Sequence, residues 1–217
     1  MNGVVDKTAL LLTIVTLTAI AVYLTVPISL FLSLLGAIVG FVVALIIIFS
    51  GSMNPILICT YAACQGLFLG GITWIIEYQY NAPGLGIVAA VLTFLILGVM
   101  LSIYRAGLIS WNKNMQIAVT SSMVAILLIY LVSFIGSFVG FEVPLIHGNG
   151  AVGIAFSVFV VGIASLCLVA DFDFIERGVE RGAPKQLEWR AAFGLLVTLI
   201  WLYLEILKLL AKLAPRK

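Results

Sequence analysis

From Thr8 to Ile76 the chain carries no charged side chain. Soluble domains have about a quarter of their residues charged, so a run of this length does not belong to a water-facing surface. It is also far longer than the roughly 20 apolar residues that one bilayer crossing requires. The run must therefore turn, and Pro27 and the Ser50-Gly51-Ser52-Met53-Asn54-Pro55 stretch supply the breaks. Reading on to the C-terminus gives seven candidate spans: Thr8–Val26, Ile28–Phe49, Pro55–Ile76, Leu85–Tyr104, Met115–Val139, Ala151–Ala170 (extending towards Arg177) and Ala191–Leu207. Composition closes the soluble alternative, with 64% of the 217 residues hydrophobic and 9% charged. The expectation is one polytopic, all-α membrane domain over residues 1–217. Ala19-Ile20-Ala21 resembles a signal-peptidase site, but no clear positive excess precedes it and the apolar run continues past it, so the first span reads as retained.

Basic residues set the orientation. With the N-terminus in the cytoplasm, the inner side holds Lys7, Arg105, Lys113, Arg177, Arg181, Lys185 and Arg190, while the outer connections hold only Glu77, Glu142 and His147. Seven crossings then leave Lys208, Lys212, Arg216 and Lys217 outside, against the trend; a last helix that re-enters and returns is the alternative. A net charge of +2, with basic residues scattered along the chain, excludes a nucleic-acid partner and leaves the lipid bilayer as the constant one. Cys59, Cys64 and Cys167 all sit in apolar runs and read as small core residues. Gly36 with Gly40, Gly66 with Gly70, and Gly136 with Gly140 have the spacing that lets membrane helices approach closely.

Asp171, Asp173 and Glu205 break the apolar plan. A carboxylate at the bilayer centre costs about 2.5–3.5 kcal/mol on insertion scales, so such groups face a bundle interior and mark an ion path or proton relay. Asp171 lies about 10–16 Å from the inner end of the sixth helix, and Glu205 follows Arg190 by about 22 Å of helical rise. On antiparallel neighbours these depths overlap, and the two carboxyls can meet. Two such groups do not both ionise readily and titrate as one coupled unit. They can also offer up to four oxygens to calcium, which takes six to eight, making a weak, transient metal site. The plainer reading stands beside this one: Asp171 and Asp173 solvated at an inner helix end and balanced by Arg177, with Glu205 paired to Lys208 three residues on.

Other polar positions carry less. Gln65 within the third span either bonds across helices or lines a pore. His147 has no second histidine near it, which argues against a metal site. Trp74, Trp111, Trp189 and Tyr104 fall near span ends as an aromatic belt, whereas Trp201 and Tyr203 lie deeper and read as packing. There is no Gly-rich phosphate loop, no HExxH and no GxSxG, and the Gly-x-Gly-Asp signature of intramembrane aspartyl proteases is missing around Asp171. The expectation is a protein that is not an enzyme and holds no cofactor.

The C-terminal third carries a resemblance. Ala170-Asp171-Phe172-Asp173-Phe174-Ile175-Glu176-Arg177-Gly178, then Gly182-Ala183-Pro184, Ala192-Phe193-Gly194 and Trp201-Leu202-Tyr203-Leu204-Glu205-Ile206-Leu207 resemble the Bax inhibitor-1 (transmembrane BAX inhibitor motif) family, in its bacterial YccA-like branch. Gln65-Gly66-Leu67-Phe68-Leu69-Gly70-Gly71 resembles a second family block. The resemblance implies seven helices with the last buried in a sandwich of the other six, and a place in the bacterial inner (plasma) membrane. It implies a calcium (cation) leak sensitive to pH and governed by two acids that match Asp171 and Glu205, with Asp173 and Gln65 secondary. The other function it implies is a non-conducting protein that modulates a membrane protease or stress machinery. This chain departs from the pattern in having Glu205 where many relatives carry aspartate, and Gln65 where relatives of that branch often carry glutamate. No cation lies between Lys7 and Arg105, so the first three helices offer no basic latch for the acids.

Overall fold

The structure, a computed structural model, describes residues 2–25, 29–137 and 150–214. Among these there are seven α-helices and no strand: α1 Asn2–Leu24, α2 Ser29–Ser50, α3 Pro55–Tyr80, α4 Leu85–Arg105, α5 Lys113–Ser137, α6 Ala151–Glu180 and α7 Leu187–Leu213. Each is long and apolar enough to cross a bilayer. Contacts divide the chain into two compact units. The first holds residues 1–83 and 174–197, and the second holds residues 84–173 and 198–217.

The breaks fall where the local chemistry puts them. Gly51 takes a left-handed φ of +62° after α2. Asn54 then caps α3, its side chain accepting from the Ile56 N–H at 2.9 Å, with Pro55 at the first helical position. Asn81, at φ 49°, closes α3 in the left-handed conformation. Helix α6 runs on through Gly178 and stops at Glu180, with Gly182 at φ +61° in the turn to α7. Pro27, Glu142, His147 and Gly140 lie outside the described residues.

In the first unit α3 packs against both α1 and α2, and glycines set the distance. A Cβ on Gly36 of α2 would stand 2.5 Å from the Cys64 carbonyl oxygen, and one on Gly66 of α3 would stand 2.5 Å from the Val15 carbonyl oxygen. One turn on, a Cβ on Gly70 would collide with the Ala19 carbonyl. The small-residue spacings in α2 and α3 thus mark two helix contacts made almost backbone to backbone.

In the second unit Val119 and Ile126 of α5 pack with Val160, Ile163 and Cys167 of α6, and Tyr130, Phe156 and Trp201 close around them. Helices α6 and α7 are the most enclosed: half of the residues in their most apolar stretches are buried, against 28% or less in α1, α2, α4 and α5. Consecutive Ala191, Ala192 and Phe193 are all buried, as are Leu195, Leu196, Leu199, Ile200, Leu202, Ile206 and Leu207, so burial on α7 is not confined to one stripe. By contrast Phe31, Phe41 and Phe49 of α2 are exposed, as lipid-facing side chains are. Helix α7 is one unbroken helix of 27 residues, about 40 Å at 1.5 Å rise. Near its end the Lys212 ammonium donates to the Gly153 carbonyl and the Ser157 hydroxyl in the first turns of α6. The end of the last helix thus lies beside the start of α6, and α7 has no break at which it would turn back.

Candidate functional site: the acids of the last two helices

Glu205 is the most deeply enclosed charged group among the described residues, with 2% of its surface exposed. Its burial follows from the sequence around it, because Leu202, Ile206 and Leu207 place apolar side chains on both flanks. Four hydrogen bonds from three residues satisfy its carboxylate. The Tyr130 hydroxyl of α5 bridges both oxygens at 2.9 Å. The Trp201 indole N–H, one turn earlier on α7, donates to Oε1 at 3.1 Å. The Lys208 ammonium, nearly one turn later, donates to the same oxygen at 2.6 Å. Lys208 also donates to the Tyr130 oxygen at 3.1 Å. A carboxylate in a span is costly alone, and this one has a cation and two further donors.

Asp171 is placed differently. It sits on α6 one turn after Cys167 and accepts a hydrogen bond from the Thr198 hydroxyl of α7. Its other oxygen, Oδ2, is shut off from the surface, and no described group donates to it. The next residue, Phe172, is buried and packs on Tyr104 of α4 with ring centroids 5.8 Å apart. Thr198 and Glu205 are seven residues apart, which is nearly the same face of α7 and about 10 Å along its axis. The two acids therefore meet α7 two turns apart, and neither carboxyl is hydrogen-bonded to the other. No group of three or more His, Cys, Asp or Glu side chains gathers among the described residues.

The secondary positions separate from these. Asp173 is half-buried on α6 two residues beyond Asp171, about 200° around the helix. Gln65 belongs to α3, where its side-chain amide lies over Gly40 of α2, 3.2 Å from where a Cβ would stand. That placement fits an interhelical bonding role within the first unit.

Two contacts differ from the sequence reading, and a third had no reading there. Trp201 is not packing alone, since its N–H serves Glu205; the i, i+4 spacing of the two residues was the available signal. Tyr130, a phenol in the second half of an apolar helix, carries no pattern that names its partner. Glu77 is not in an outer connection: it is a buried residue of α3, 6% exposed, and the Tyr23 hydroxyl of α1 donates to it at 2.6 Å. At the opposite end of α1, Lys7 pairs with Glu188 at the start of α7 and lies 5.5 Å over the Trp189 ring.

Comparison with known protein families matches residues 1–215 to the family described as Bax inhibitor 1 like. No individual curated protein matches the chain. The match spans all seven helices, including both acids, Lys208 and the glycine-packed α3. On that evidence the chain belongs to the Bax inhibitor 1 like family and is a multi-pass membrane protein.

Proposed function

We propose that this protein is a pH-modulated calcium (cation) leak channel of the cell membrane, with its N-terminus in the cytoplasm and Asp171 and Glu205 on the ion path. The observation that supports the reading is Oδ2 of Asp171, a buried carboxylate oxygen within a span that no donor among the described residues serves. An unpaired buried acceptor costs about 1–3 kcal/mol, and more for a charged group. A proton or a passing cation is the partner that relieves this cost, and exchange between the two couples flux to pH. Glu205 already has its own cation, so Asp171 is the more responsive member. The proposal includes no catalytic activity and no resident cofactor; calcium is cargo.

The test is calcium flux into liposomes that contain only the purified protein, measured across pH 5–8. Wild type should leak with a clear pH dependence. Asp171→Asn keeps size and removes the titration, so it should flatten that dependence; Asp173→Asn should leave it in place. An Asp171→Asn protein with the wild-type profile would overturn the assignment of Asp171. A wild-type protein that passes no calcium at any pH would instead favour the non-conducting reading, in which the family fold modulates a membrane protease or stress-response partner.

A further inference from the structure

Lys208 reaches Glu205 from the more open side: its side chain is 38% exposed, while that of Glu205 is 2% exposed. Its ammonium contacts three things at once, the Glu205 carboxylate at 2.6 Å, the Tyr130 oxygen at 3.1 Å and the face of the Tyr130 ring, whose centroid is 4.6 Å away. A carboxylate, a neutral oxygen acceptor and an aromatic face together form the recognition set for an organic ammonium ion. The set suits calcium poorly, because it presents three oxygens where six to eight are required.

We propose that Lys208 is a tethered ammonium ligand that fills a cation cage formed by Glu205 and Tyr130, and that the class of free ligand this cage accepts is a primary alkylammonium. While the tether is in place, Glu205 is closed to passing cations, which makes Lys208 the residue that limits the leak. The effect on flux rests on the cation-path reading above; occupancy of the cage does not. The carboxylate is too deeply buried to remain a lone charge once the lysine is withdrawn, so an empty cage takes up a proton or another cation.

Lys208→Ala removes the equivalent of n-propylammonium and leaves the cage standing. n-Propylammonium chloride, added to the purified full-length variant in detergent, should raise its melting temperature by several degrees, as a ligand that binds only the folded state does. The Lys208→Ala/Glu205→Gln double variant should show no such rise. In liposomes, Lys208→Ala should pass calcium several-fold faster than wild type, and n-propylammonium should bring it back towards the wild-type rate. If Lys208→Ala is recovered folded only when n-propylammonium is present, occupancy is supported directly. If it folds under neither condition, the double variant decides: flux at or below wild type supports the cage. Flux above wild type in the double variant overturns it, since the lysine would then act by general repulsion. Equal n-propylammonium stabilisation of single and double variants, or none in either, also overturns it. Stabilisation of Lys208→Ala alone, with no calcium flux in any protein, keeps the cage and removes the leak.

Discussion

At the scale of single residues, the acids of α6 and α7 are held by unlike means. Glu205 is served by Tyr130, Trp201 and Lys208, and Asp171, among the described residues, by Thr198. Hydrogen bonds to charged groups contribute about 1.5–3 kcal/mol, whereas interhelical bonds in membranes average about 0.6 kcal/mol because the unfolded chain in the bilayer also finds partners. The Tyr130 bond is both charged and interhelical, so Tyr130→Phe should lower stability by roughly 1–2 kcal/mol in surfactant unfolding. Trp201→Phe should cost less, because Trp201 lies on the same helix as Glu205 and stays beside it when the helices part. The double variant should fall short of the sum, since the two donors share one carboxylate. Additive losses would mean that the bonds act independently and that Glu205 does not organise this cluster.

At the scale of helices, close approach is concentrated on α3. Gly36, Gly66 and Gly70 each face a backbone carbonyl on a neighbouring helix, and a carbonyl cannot move aside as a side-chain tip can. Gly66→Ala or Gly70→Ala should therefore force α1 and α3 apart and destabilise the protein by about 1–3 kcal/mol. Gly98 of α4 and Gly162 of α6 have nothing within 4 Å of an added Cβ. Alanine there should be neutral, or should stabilise by up to about 1 kcal/mol through helix propensity. Thermal unfolding of the four variants in detergent checks this directly. If Gly162→Ala is as damaging as Gly70→Ala, then helix packing does not account for these glycines.

At the scale of the whole molecule, side-chain contacts tie helix ends to one another. The Lys7–Glu188 pair places the start of α1 with the start of α7, and the Lys212 bonds place the end of α7 with the start of α6. Combined with the basic bias of the segment from Arg177 to Arg190, this predicts that Lys185→Cys is shielded from an impermeant maleimide in intact cells. A cysteine introduced between residues 142 and 149 should react from outside. The opposite pattern would invert the orientation and leave the crossing number intact. Reaction of both from one side would contradict a crossing by α6.

Seven spans, the turn at Ser50–Pro55 and the glycine contacts of α2 and α3 were legible in the sequence. Charge exclusion from lipid, proline and glycine backbone chemistry and i, i+4 spacing are all local rules. The pairing of Glu205 with Lys208 was legible too, as a count of residues along one helix, but only as the plainer of two readings. Local rules do not specify which side chain from another helix meets a given residue. Tyr130 at Glu205, Thr198 at Asp171 and Tyr23 at Glu77 depend on the rotation and stagger of packed helices, which shift with every side chain along the interface. The same freedom placed the two acids at separate turns of α7, although their depths permitted contact. Sequence alone determined that these carboxylates stand in helices apolar enough to cross a membrane, because no shorter or more polar element fits their neighbours. Only the tertiary structure decided their partners on other helices, Tyr130 for Glu205 and Thr198 for Asp171, and left Oδ2 of Asp171 without a donor among the described residues, because those contacts depend on how the helices pack.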